Sequence, residues 1–445
     1  MLKQSKVSGL AIVLVILIIL AAGYFIFQDS DEPLLTLAPA TDRIGLALPM
    51  TLTAADATSP VKRVSINVRM GNRIIPVLDK TFTDQEKVRI IEFSLKDTGL
   101  KDGPVELECS ATDNSLGNLG RGNTATKIIP VTIDSTPPRV SVKTGQLNIR
   151  RGGSASILYA INKDVSQTGV KVNELFFPGF RQPNGDYLCF FAFPYYMDTK
   201  DYSPQLVAVD LAGNVRVTPV SMNAMHREFK HDTITVGQGF LDKKGAEFEA
   251  MAPGDMTDKE RFLEVNGRIR RENAQALLEI GKDTAAESLW SGPFLSLPRS
   301  ATRAGFADHR TYLWDGEKID EQVHLGLDSA SVAQAPIPAS NSGRVVFAGY
   351  LGIYGNLVII DHGLGLQSLY SHMTSYDVTV GQEVEKGDII GKTGATGMAG
   401  GDHLHFGILI SGLEVSPLEW LDSHWIKDNV TDRIISAGGQ APQAQ

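Results

Sequence analysis

Histidine is scarce in this sequence, with 9 in 445 residues, yet four of the nine fall in three short patches. His324 and Asp328 bracket the run His-Leu-Gly-Leu-Asp, His372 closes Tyr-Ser-His, and His403 and His405 flank one leucine. Two imidazoles and a carboxylate can hold a zinc ion and leave one coordination position open, as hydrolytic sites do and structural sites do not. Two further imidazoles can move protons and steady a developing oxyanion.

The elements that must position these groups follow from period. Strand alternation puts Leu404, Phe406, Ile408 and Ile410 on one apolar face, and His403 and His405 side by side on the other. The spacing of His324 and Asp328 would suit one helix face. Gly326 between them, and the Ser/Ala/Pro-rich stretch behind, favour a strand or loop instead. A lone His-x-His is ordinarily a strand with two polar positions, so the weight lies on the joint pattern. His226, His231, His309, His362 and His424 carry no such pattern. His362 falls in an Asp361-His-Gly363 turn, and His309 in a polar loop before the site.

The run from about Leu297 to Trp420 resembles the LytM-type, M23 family of zinc metallopeptidases, which cut peptide bonds in bacterial peptidoglycan. The matching pieces are His324-Leu-Gly-Leu-Asp328, Gly355-Asn-Leu-Val-Ile-Ile-Asp361-His-Gly363, Leu369-Tyr-Ser-His372-Met, Gly381 to Gly391, Thr393-Gly-Ala-Thr-Gly397 and His403-Leu-His405-Phe. The resemblance implies that His324, Asp328 and His405 ligate Zn2+. It implies that His372 and His403 act on the attacking water and the transition state, with base and oxyanion roles left open between them. Peptidoglycan is the implied substrate. Many members carry an acidic residue where this chain has Gly407. On strand alternation Gly407 shares the His405 face and borders the cleft, where its small size would open the site or remove a partner for a ligand.

Two other classes stay in view. Some members of that family have lost ligands and only activate other wall hydrolases, whereas all five positions are kept here. The Gly381–Gly391 segment also resembles the lipoyl-like hairpins of membrane-fusion adaptors. An adaptor has no use for three grouped ligands, and Lys386 follows Glu385 rather than the aspartate of a lipoylation site.

The expected fold class is mainly β, with an N-terminal transmembrane helix, two immunoglobulin-like β-sandwich modules, a short helical linker and a C-terminal LytM-type β-sheet peptidase domain. Residues 7–27 are uncharged and apolar, long enough to span a bilayer. Lys3 and Lys6 precede them and acidic residues follow, which orients 1–6 to the cytoplasm. The expected localisation is therefore the cytoplasmic (inner) membrane, single-pass, with the C-terminal domains extracytoplasmic (periplasmic). A cleaved signal peptide is the alternative. Alternating strands and frequent turns suggest sandwich modules over 33–135 and 137–225, separated by Thr136-Pro-Pro138. Ala111-Thr-Asp113 to Asn118 is echoed by Ala208-Val-Asp210 to Asn214; both aspartates read as turn formers rather than calcium ligands.

Residues 226–285 form the linker, with a capping box at Thr257-Asp-Lys-Glu260 and a stripe of Phe262, Val265, Ile269, Ala276 and Ile280. That stripe packs on a neighbouring domain or gates the cleft. The peptidase domain is placed at 286–430, and 431–445 is a disordered tail. A formal charge of −9 offers no footing for nucleic acid. Cys109 and Cys189 are the only cysteines and are read as two separate buried thiols.

Overall fold

The computed structural model describes residues 11–20, 23, 29–116 and 120–436. Residues 11–20 form an exposed apolar helix, about 15 Å long at the standard rise, roughly half a hydrocarbon core. Among the described residues no helix is long and apolar enough to cross a membrane. This overturns the expected transmembrane helix over 7–27, and with it the single-pass localisation. Positions 7–10, 21, 22 and 24–27 lie outside the described residues.

The chain divides into two compact units, one of Met1–Pro138, Lys163–Ser166 and Val209–Arg216, the other of Arg139–Asn162, Gln167–Ala208 and Val217–Gln445. The first unit pairs a three-stranded sheet (Leu34–Ala38, Met50–Ala55, Val88–Phe93) with a five-stranded one built around Val61–Met70 and Gly103–Asp113. Alternation buries Leu52, Ala54 and Ile91 of one sheet against Val64, Ile66, Cys109 and Ala111 of the other. Asp113 Oδ1 accepts from the backbone N–H of Ser115 at 2.9 Å and of Asn123 at 2.7 Å. Asp210 Oδ1 accepts from the N–H of Asn214 at 2.8 Å. Both aspartates therefore bond local backbone as turn formers do; residues 117–119 of the first echo lie outside the described residues.

The second unit is organised by an eight-stranded antiparallel sheet. Its order is Ala301–Ala304, Leu327–Ala330, Leu404–Ile410, Leu366–Met373, Asn356–Asp361, Gly343–Tyr350 and Glu383–Val384, with Leu413–Val415 paired beside Leu404–Ile410. Leu404–Ile410 is buried at every position. One face, Leu404, Phe406, Ile408 and Ile410, joins a core with Trp290, Phe294, Trp420, Phe190 and Phe191. The opposite face packs Leu409, with Leu357, Ile359 and Leu369, under Phe248, Phe262, Val265 and Leu277. Each such large apolar side chain contributes about 1.5–3 kcal/mol when buried.

The covering side chains come from the helix Gln238–Met251 and a helical run from Asp258 to Ile280. The first of these was not anticipated: it holds Gly239 and Gly245, and its buried apolar residues are only Leu241 and Phe248. The second begins at the expected capping box, where Thr257 Oγ1 accepts from Glu260 N and Glu260 Oε2 accepts from Thr257 N at 2.9 Å. A π-helical turn at Val265–Ile269 then shifts the buried stripe to Asn273 and Leu277, away from Ala276 and Ile280, because the wider turn rotates everything after it. The strand His231–Thr235 pairs in parallel with Asp308–Trp314, so residues 226–285 supply both a strand and a cover to this unit.

At the other edge, the backbone N–H of Ser154 donates to Glu419 Oε2 at 2.8 Å, and Trp420 Nε1 donates to Ser154 Oγ at 3.1 Å. The tail expected to be disordered from 431 is helical through Ser436, held by buried Val430 and Ile434; residues 437–445 lie outside the described residues. Cys109 and Cys189 are free and buried.

Candidate metal centre

His324 ends the strand Glu317–His324, and Leu325-Gly326 turns the chain so that Asp328 enters Leu327–Ala330. There Asp328 lies in register with His405 on the neighbouring strand, and Ser371 pairs with His405 on its other side. The four-residue spacing thus serves a strand-turn-strand path, not a helix face. All three side chains are buried. His324 Nε2 lies 2.8 Å from Asp328 Oδ1 and 2.9 Å from His405 Nδ1, and His405 Nδ1 is 2.9 Å from the same Asp328 oxygen.

This donor set fits a divalent cation. His324 Nδ1 donates to the Gly305 carbonyl at 2.7 Å, which leaves Nε2 with a lone pair aimed at the centre. Tetrahedral ligation at about 2.1 Å separates donors by about 3.4 Å, so the triangle need open by only about 0.5 Å. Asp328 Oδ2 accepts from Arg310 Nη2 at 3.2 Å, which fixes the carboxylate with Oδ1 toward the histidines. Burial disfavours ionised Asp328, but hydrogen bonds with His324, His403 and His405 hold its carboxyl far below the usual range. Burial pushes His405 down to about 4, against the pull of Asp328. A buried carboxylate with neutral imidazoles is the protonation state that metal ligation requires.

His372 and His403 stand beside this triangle, their rings 4.9 Å apart. Each is tied through Nδ1 to a carbonyl of one loop: His372 to Thr396 at 2.8 Å, His403 to Gly401 at 2.8 Å. His403 Nε2 lies 3.5 Å from Asp328 Oδ1. Burial, then the neighbouring His403 and His405, push His372 well below the ordinary histidine value. For His403 burial acts downward, yet the contact with Asp328 outweighs it and raises the group. His372 also has φ of 61°, a left-handed conformation that costs a non-glycine residue about 1–3 kcal/mol and clusters at functional sites.

The structure brings all five anticipated residues to the wall of one cavity of about 420 Å³. It does not bring Gly407 there. A Cβ at Gly407 would rest 3.4 Å from the Leu369 Cβ, in the layer roofed by the helices, because the whole His405 face beyond that residue is covered. His309 sits in a strand rather than a loop, its ring stacked 4.9 Å from His231. His362 is fully buried, with Nδ1 2.7 Å from the Ser342 carbonyl and Nε2 2.7 Å from Ser368 Oγ. Three cavity residues had no visible signal. Arg310 reaches Asp328 only through strand pairing. The Tyr354 hydroxyl donates to Glu414 Oε1 at 2.6 Å across 60 positions, and burial pushes Glu414 up to about 7.

Residues 322–417 match the family model described as Peptidase family M23. The C-terminal part of the chain is a peptidase M23 domain. Over 97 residues it is 38% identical to the DD-carboxypeptidase/endopeptidase Mpg of Neisseria meningitidis, covering 22% of each chain. Over 132 residues it is 36% identical to the murein hydrolase activator NlpD of Salmonella typhimurium, covering 28% of this chain and 35% of that one. It is 34% identical over 96 residues to the peptidoglycan DD-endopeptidase ShyA of Vibrio cholerae, covering 22% of each. The match thus spans about a fifth of the endopeptidase relatives' length, and it contains all five residues but not Arg310 or the covering helices.

Proposed function

We propose that this chain is a zinc-dependent endopeptidase that hydrolyses peptide cross-links or stem peptides of bacterial peptidoglycan. The observation that carries this reading is the convergence of His324, Asp328 and His405 within hydrogen-bond distance, with His372 and His403 beside them. A purely structural metal site would leave those two imidazoles without a task.

Bound zinc supplies Lewis acidity: it polarises the scissile carbonyl and makes water nucleophilic near neutral pH. The chain's own residues do the rest. Arg310 keeps Asp328 oriented. One of His372 and His403 accepts a proton from the attacking water; the other donates a hydrogen bond to the developing oxyanion and passes a proton toward the leaving amine.

Purified chain should digest peptidoglycan, lose that activity to a chelator and regain it with zinc, with the cleaved bond read from product masses. Intact peptidoglycan after zinc loading would refute catalysis. The similarity to a murein hydrolase activator supports a second reading, in which the domain stimulates a separate wall hydrolase. That reading expects no cleavage by this chain alone and faster cleavage by the hydrolase in its presence.

A further inference from the structure

The loop that holds both proton-moving histidines is itself held by the helix Gln238–Met251, outside the matched domain. Lys244 is buried, at 6% exposure. Its Nζ donates to Glu247 Oε2 at 2.8 Å and to the Ala395 carbonyl. Glu247 Oε1 in turn accepts from the Gly397 backbone N–H at 3.3 Å. One ion pair thus grips the peptide groups on both sides of Thr396. The Thr396 carbonyl between them is the partner of His372 Nδ1, and Thr396 Oγ1 donates to the Met373 carbonyl at 3.0 Å. Burying a lysine is costly unless its partners are fixed, and here those partners include the loop that faces the catalytic ring.

We propose that Lys244 and Glu247 are positioning residues for His372: by clamping residues 395–397 they aim the Thr396 carbonyl at Nδ1 and keep the ring in its Nδ1–H tautomer, with Nε2 as the lone-pair atom. The proposal rests on the hydrolytic reading for its catalytic meaning, though the tautomer is a property of the chain itself. A ring hydrogen-bonded at one nitrogen has its tautomer set there. Unclamping the loop lets Thr396 drift, and both ring forms become populated.

The test uses the full chain with Glu247→Gln, which is nearly isosteric, and Lys244→Met. Metal-free protein labelled with 15N in histidine reports the His372 tautomer directly. The expected result is a single Nδ1–H form in the unsubstituted chain and a mixture in both variants. With zinc loaded, kcat should fall about 10–100-fold with little change in KM or zinc content. In a His372→Ala background, Glu247→Gln should add no further loss. An unchanged tautomer in both variants overturns the proposal, whether or not stability or zinc content drops. If the unsubstituted chain cleaves nothing, the hydrolytic reading falls, while the tautomer measurement still decides the clamp.

Discussion

The His405 imidazole lies directly against the backbone of Gly326: a Cβ at 326 would fall 2.4 Å from both His405 Cε1 and His405 Nε2. The glycine midway between two ligands therefore makes room for the third. Gly326→Ala should displace the His405 ring and abolish stoichiometric zinc binding, at a stability cost of about 1–3 kcal/mol for the overpacking. Zinc content and a thermal melt on the same sample would check this; full zinc occupancy would refute the packing argument.

Ligands and proton movers should separate in a substitution series. His324→Ala, Asp328→Ala and His405→Ala should lose both zinc and hydrolysis. His372→Ala and His403→Ala should retain zinc while the rate falls about 10²–10⁴-fold. Metal analysis alongside a digestion assay distinguishes the two groups, and zinc loss in His372→Ala would reassign it.

Arg310 should matter although it lies outside the matched domain. Arg310→Met removes the donor that holds Asp328 Oδ2, so zinc affinity should weaken about 10–100-fold, the usual effect of losing a ligand's orienting partner. Competition with a chelator of known affinity measures it.

Gly407→Ala should be nearly neutral. Its added methyl meets Leu369 at ordinary contact distance, so kcat and zinc affinity should stay within about twofold, a span of about 0.4 kcal/mol. A tenfold loss would mean that this position reaches the cleft after all.

Glu414 should leave a pH signature on stability. Burial raises its carboxyl from 4.5 to about 7. In that window the folded state keeps a proton that the unfolded chain has lost, so stability falls as pH rises and levels off above about 7. The change amounts to about 3 kcal/mol. Glu414→Gln keeps an acceptor for Tyr354 and removes this slope. The depressed His362 and His405 values tilt stability the other way between about 4 and 6.5. The difference between variant and unsubstituted chain, from urea melts at pH 5 and pH 8, isolates Glu414.

What was legible in the sequence was what period and rare residue types encode. The alternation around His403-Leu-His405 gave the strand, and Gly326 argued correctly against a helix from His324 to Asp328. Thr257 and Glu260 announced their capping box. Long-range pairing was invisible: nothing near Arg310 reveals that strand register carries it to Asp328, and nothing near Glu414 points to Tyr354. The π-helical turn at Val265–Ile269 defeated a straight 3.6-residue projection onto Ala276 and Ile280. Gly407 was misplaced because alternation tells which face a residue takes, not how far along that face the cleft extends. The membrane-spanning reading of 7–27 came from hydropathy alone, which counts apolar residues without asking whether they form one uninterrupted helix.

The parallel pairing of His231–Thr235 with Asp308–Trp314 bears on how this catalytic module could be moved between proteins. A gene fragment cut at the family boundary would begin inside the strand Glu317–His324. It would discard that strand's neighbour together with Arg310, and strip the roof from Leu369 and Leu409. Exchange by recombination should thus succeed only with breakpoints well upstream, so the heritable unit is larger than the conserved sequence block.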